Sequence, residues 1–277
     1  EALLVGLKQQ AKINPVLNPK NTTIDELDLT AEQALSMIDF QNGGIKGAPK
    51  FPQPSFQEFL WRAYSRTGNS NLSEAVITSL SHMCQGGIYD HLGGGFARYS
   101  TDALWLAPHF EKMLYDNAQL IILLTSVWQN TGLPLFKQRV RETIEWALRE
   151  LKLDAGGFAG TLDADSPDKD GCSKEGAFYT WDEPEIKQLL GSKFALFAKF
   201  YDVSEEGNWE QKIILNRLKT IELKNTKTEK TLTHCRELLF AEREHRAKPA
   251  LDDKVLADWN GLMIAALSHA GAVFHET

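Results

Sequence analysis

The sequence predicts an all-α fold of stacked helical hairpins, and two patterns predict it. Apolar residues recur at helical spacing through most of the chain. A Gly-Gly-aliphatic or Gly-Gly-aromatic signal also follows a helix three times, at 43–45, 86–88 and 156–158. Helix pairs punctuated by glycine loops stack into an open solenoid or a closed α/α toroid. Because the three loops follow the same kind of helix, loops 43–55, 86–108 and 156–180 are expected to open onto one face.

The elements follow in order. Residues 1–13 read as the end of a helix cut off upstream, and 14–29, with Pro15 and Pro19, as a loop. Thr30 is expected to cap a helix over 31–41 with Ala31, Ala34, Leu35 and Ile38 on one face. The glycines and prolines of GGIKGAPKFPQPS, residues 43–55, forbid a regular element. Ser55 opens a helix to about Arg66, ended by Gly68, and 72–85 repeats the pattern through Leu72, Ala75, Val76, Leu80 and Met83. Residues 134–151 form another amphipathic helix. Residues 156–186 are a long loop, with a short strand expected at 177–181. Two short helices, 184–190 and 193–200, break at Gly191. A short strand is expected near 212–215, a helix over 228–246, and a last helix from Asp258 or Trp259 through Leu267.

Residues 86–120 carry the densest chemistry: GGIYDHLGGGFARYSTDALWLAPHFEKMLYDNAQL. Pro108 suits the first position of a helix running to about Asn130. At about 100° per residue, His109, Glu111, Lys112, Tyr115, Asp116 and Gln119 share one arc. That arc then becomes Leu120, Leu123 and Val127, so the helix reads as buried, with polar first turns facing a wet cavity. His109 is therefore expected to be largely buried beside that cavity, with Asp90, Glu111 or Asp116 as its carboxylate partner. His91, His109 and Asp163 are expected near a shared pocket.

The 277 residues, 43% hydrophobic and 24% charged, fit one large globular domain or two small ones with enough chain for a large core, and a single domain is expected. A net charge of −7 without a basic stripe argues against nucleic acid. Cys84, Cys172 and Cys235 lie far apart, which disfavours a disulfide framework or zinc site and makes a cytoplasmic setting the default. The sequence points to no metal and no cofactor. The apolar run at 120–128 is too short to span a bilayer, and no signal-peptide pattern opens the chain.

His109 suits proton transfer, with Glu111 beside it. Asp163 and Asp165 on the 156–186 loop would complete general acid–base work on a sugar. A calcium loop fails, because counting from Asp163 the required glycine position is Asp168. Tyr99, Trp105, Trp181 and Trp259 are candidate sugar platforms, each also readable as a core aromatic. Lys50 and Arg98 could bind an anion. Asp90, His91, Lys112, Asp116 and Asn260 complete the candidate binding set. Lys112 and Asp116 read equally as an i,i+4 ion pair, and Asp258 as a helix N-cap.

Four segments in this order carry a family resemblance: GGIKGAPKFPQPS, the 86–120 stretch, GGFAGTLDADS with KEGAFYTW, and KVLADWNGLMIAA. Over residues 31 to 277 the chain resembles the thioredoxin-domain-containing family that includes spermatogenesis-associated protein 20 (domain of unknown function 255). The resemblance implies an (α/α)6 toroid like those of N-acylglucosamine 2-epimerases and six-hairpin glycosidases, following a thioredoxin-like domain that is expected to lie outside these residues. A ring of six hairpins needs about twelve helices, against about eight or nine readable here. An incomplete ring truncated at both ends is expected, with an exposed apolar edge or a homodimer covering it. The functional expectation is a carbohydrate-active site, epimerase-like or hydrolase-like, for a small-molecule or glycan substrate. The rival is a non-catalytic glycan- or protein-binding domain serving the thioredoxin-like domain.

Overall fold

The computed structural model describes residues 21–276, and the readings made for 1–20 lie outside them. Nine α-helices occur among the described residues. The first, α1 (Ile24–Ala34), starts earlier than expected. Thr23 and Glu26 form a reciprocal capping box, each side chain accepting from the other's backbone N–H. Thr30 is therefore inside the helix, donating its hydroxyl to the Glu26 carbonyl.

Two helical hairpins follow. Helices α2 (Pro54–Thr67) and α3 (Ser70–Gln85) join across Gly68, whose φ of +71° ends α2. Helices α4 (Leu114–Thr131) and α5 (Pro134–Trp146) join across Gly132, and one π-helical turn extends α5 to Leu151. Helices α6 (Glu183–Leu190), α7 (Phe194–Phe200) and α8 (Thr226–Arg243) gather around a second apolar core containing Trp181, Phe197, Tyr201 and Leu239. The last helix, α9 (Ala257–Phe274), begins after Leu256, so Asp258 is not its cap.

Helix α4 is the centre of the main core. It packs on α2 and α5 and most extensively on α9. Leu120, Ile121 and Leu124 are fully buried, each stabilising the fold by about 1.5–3 kcal/mol.

The start of this helix differs from the sequence reading. Residues 108–113 are extended, not helical. The strands are β1 (Tyr99–Ser100), β2 (Pro108–His109), β3 (Lys112–Met113), β4 (Thr161–Leu162), β5 (Asp165–Pro167), β6 (Ser173–Glu175) and β7 (Leu251–Asp252). β1 pairs antiparallel with β2, β3 with β4, β4 with β7, and β5 with β6. The cause is backbone pairing across loops. The Arg98 N–H donates to the Glu111 carbonyl and the Leu114 N–H to the Gly160 carbonyl, so helical bonding begins only at Leu114. Extended backbone alternates its side chains. Phe110 and Lys112 are buried, while His109 and Glu111 are half-buried on the other face. The strand expected at 177–181 is also absent. Gly176 starts tight turns there, and only Trp181 makes a bridge, to Ile213.

Two loop glycines, Gly44 and Gly95, have the same physical role. A Cβ on Gly44 (φ +73°) would lie 2.5 Å from the Trp105 ring, and one on Gly95 (φ +82°) 2.6 Å from Trp146. Each glycine lets a loop lie flat on a buried tryptophan. Two asparagines then fasten these loops to helix starts. Asn117 of α4 accepts from the Phe96 N–H (2.7 Å) and donates to the Phe96 carbonyl (3.0 Å). Asn260 of α9 does the same to Phe158, at 2.8 and 3.0 Å. Asn260 is thus a buried brace for the third glycine loop.

Candidate functional site

Three loops meet at one surface. Lys50 and Ser100 exchange backbone hydrogen bonds of 2.8 Å, which brings loop 43–55 to β1. Phe51 then stacks on Tyr99 at 4.8 Å, and Tyr99 stacks on His109 at 5.1 Å. At the ring edge His109 Nδ1 lies 2.7 Å from a Glu175 carboxylate oxygen, so the 156–180 loop joins the group.

Glu111 continues this surface. It accepts a hydrogen bond from Arg98 at 3.2 Å and lies 4.0 Å from His109 Nε2. Tyr115 packs on Trp259 at 4.8 Å. Beneath them is Asp116, in the first turn of α4 and only 8% exposed. Its Oδ2 is buried without a hydrogen-bond partner. Burial pushes its pKa up to about 7; Arg98 and Tyr115 oppose the rise and Glu111 adds to it. Asp116 thus holds a proton near neutrality beside an ion-paired carboxylate.

Asp163 and Asp165 are exposed. Asp165 faces Glu175 across the β5–β6 ladder, one residue away from the His109 contact. Asp163 lies where β4 ends, its N–H donated to the Ala250 carbonyl.

Other candidates lie in the interior. Asp90 accepts from Lys112 (2.8 Å), twice from Arg243 (2.8 and 2.9 Å), and from the Leu92 and Gly93 N–H groups. Burial raises its pKa, but the two cations outweigh it and hold the carboxyl well below its ordinary range. Lys112 pairs with Asp90 rather than Asp116 and lies over the Tyr179 and Trp146 rings at 4.9 and 5.3 Å. Burial pulls it down to about 8, with Asp90 opposing. His91 is buried, with Nε2 donating to the Gly86 carbonyl (3.0 Å) and Nδ1 accepting from Arg139 (3.3 Å). Burial first, then the Arg139 charge, keeps this ring neutral.

Several expectations are therefore corrected. His91, Pro108, Phe110 and Lys112 line an inner cavity of about 30 Å³. Strand alternation turns His109 to the opposite face, so the two histidines do not share a pocket. His109 itself is half-buried, and its close partner is Glu175, not Asp90, Glu111 or Asp116. Trp105 and Trp181, at 0% and 1% exposure, are core aromatics and present no face to a sugar. Lys50 is buried and spent on Asp39 (2.8 Å) and the Gly43 carbonyl (2.7 Å).

Sequence reasoning missed Glu175, whose isolated carboxylate in KEGAFYTW carries no local signal of a partner 66 residues away. It also missed the aromatic Phe51. Among the described residues, no group of three or more His, Cys, Asp or Glu is placed to hold a metal ion. None of the described helices is long and apolar enough to cross a membrane.

Comparison with known proteins identifies relatives by sequence. No protein-family model matches the chain. Spermatogenesis-associated protein 20 of Homo sapiens is 36% identical over 270 residues, covering 86% of this chain and 34% of that protein. An uncharacterised protein of Caenorhabditis elegans is 34% identical, covering 87% of this chain and 37% of its own length. The chain thus spans about a third of the curated relatives it matches. Similar solved structures include a sugar epimerase from a ruminal bacterium, 14% identical with a TM-score of 0.46, covering 92% of this chain and 83% of that one. An unsaturated glucuronyl hydrolase specific for heparin is 10% identical with a TM-score of 0.45, covering 92% and 70%. Over most of its length, this helical-hairpin chain is a homologue of a one-third segment of spermatogenesis-associated protein 20.

Proposed function

We propose that this domain performs acid–base chemistry on a carbohydrate at the surface formed by Arg98, His109 and Glu111, with Asp116 buried directly beneath it. The observation that carries the proposal is the split between two neighbouring carboxyl groups. Glu111 is paired with Arg98, whereas Asp116, unpartnered at Oδ2, is held protonated to about pH 7. Environments that drive two titratable groups apart supply a proton donor and an acceptor in one site. His109 adds a third proton-transfer group.

The flanking surface fits a sugar. Phe51 is 42% exposed and stacked on Tyr99, and half-buried Trp259 lies on the Tyr115 side. Aromatic faces pack against the apolar faces of pyranose rings. Asp163 and Asp165, exposed on the neighbouring loop, offer hydroxyl-binding acceptors at the rim. The thioredoxin-like domain implied by the family resemblance is a partner in the longer protein under this reading.

The test is a mono- and disaccharide screen on the full-length protein in D₂O, followed by proton NMR. Deuterium entering a ring carbon marks epimerase-like proton transfer, and a released reducing sugar marks hydrolysis. Asp116→Asn and His109→Gln are each expected to lower the rate by ~10²-fold or more. An unchanged rate per folded molecule removes that residue from the mechanism.

A further inference from the structure

We infer that Glu175 is a positioning residue that sets the tautomer and orientation of His109. The inference rests on the reading of His109 as a proton-transfer group. A carboxylate only accepts hydrogen bonds, so the 2.7 Å contact requires the proton on Nδ1. In the neutral ring the lone pair then belongs to Nε2. Nε2 is 4.0 Å from the Glu111 carboxylate, beyond hydrogen-bond length. Nε2 is thus the nitrogen free to take a proton from a bound molecule. Tyr99, stacked at an interplanar angle of 25°, fixes the plane in which it points.

Glu175 is itself held in place. Its strand pairs with β5 in the register Asp165↔Glu175. The next residue, Gly176 (φ +71°), donates its N–H to the Ala164 carbonyl at 3.1 Å. A Cβ there would lie 2.5 Å from the ring of Phe110, the residue after His109. The end of the hairpin is therefore pinned against the backbone that carries the histidine. The charged groups facing the ring are Glu175 and Glu111, the latter tied to Arg98.

The test is ring nitrogen NMR on the full-length protein labelled with ¹⁵N-histidine, with His109→Gln assigning the signal. It is run at about pH 9, above the usual imidazole range of about 6.5. The wild type is expected to carry its proton on Nδ1. Glu175→Ala should move it to Nε2, the tautomer that an unrestrained imidazole prefers. Glu175→Gln, whose side-chain carbonyl still accepts, should keep it on Nδ1. A wild-type proton on Nε2, or an unshifted signal in Glu175→Ala, overturns the assignment. The readout needs no substrate, so a failed sugar screen alongside an Nδ1 proton rejects the proposed chemistry and leaves the positioning intact.

Discussion

Two carboxyl groups from one stretch of sequence, Asp90 and Asp116, are both almost inaccessible to water, yet they have opposite surroundings. Asp90 has two cations and two backbone N–H groups directed at it. Asp116 has a buried oxygen with no partner at all. Desolvation raises the pKa of both, but only at Asp90 do neighbouring charges reverse it. A buried carboxylate whose two oxygens are both engaged by cations and N–H groups holds structure together and has no spare acceptor for chemistry. An unsatisfied one weakens the fold and keeps a proton available at neutral pH.

The largest effect should come from the ion-paired centre at Asp90. Asp90→Ala leaves Lys112 and Arg243 as uncompensated buried charges, which costs about 3–5 kcal/mol. Urea denaturation checks this, and a loss under about 1 kcal/mol would show that water reaches the cluster.

Asp116→Asn should act in the opposite direction. The folded protein holds the Asp116 proton to about pH 7, the unfolded chain only to about pH 4. Between those values the folded state binds more protons, so this group's contribution to stability falls as pH rises. The substitution removes that penalty and should stabilise the protein by on the order of 4 kcal/mol above pH 7. The gain should disappear below about pH 4. Denaturation midpoints for both proteins at pH 4 and pH 8 measure it, and an equal difference at the two pH values would contradict it.

The smallest effect belongs to Glu175, whose side chain is 43% exposed. Glu175→Gln should change stability by less than about 0.5 kcal/mol. A larger thermal shift would mean that the β5–β6 hairpin is part of the structural core, which would blur the contrast between the two centres.

The helices were legible because their signals are local. Gly68, Gly191 and the apolar spacing of 72–85 each act within a turn or two. The two-residue strands were not, because their partners are distant in sequence. Lys112 pairs with Leu162, and no propensity within 108–113 encodes that contact. Pro108 was a plausible helix start and is a strand residue, since fixed φ suits either. The site was legible as a set of residue types and as a meeting of loops. Its division was not: Lys112 and Asp116 were readable as partners from their spacing, whereas Asp90 takes the lysine and leaves the aspartate alone. Only packing decides which of two carboxylates receives the cation.

The most direct test is the carboxyl titration of Asp116 itself, followed by its side-chain carbon shift in NMR and assigned by Asp116→Asn. The expected midpoint is near 7. A midpoint near 4, the ordinary aspartate range, would contradict it, because Asp116 would then be ionised at neutral pH and could not donate a proton.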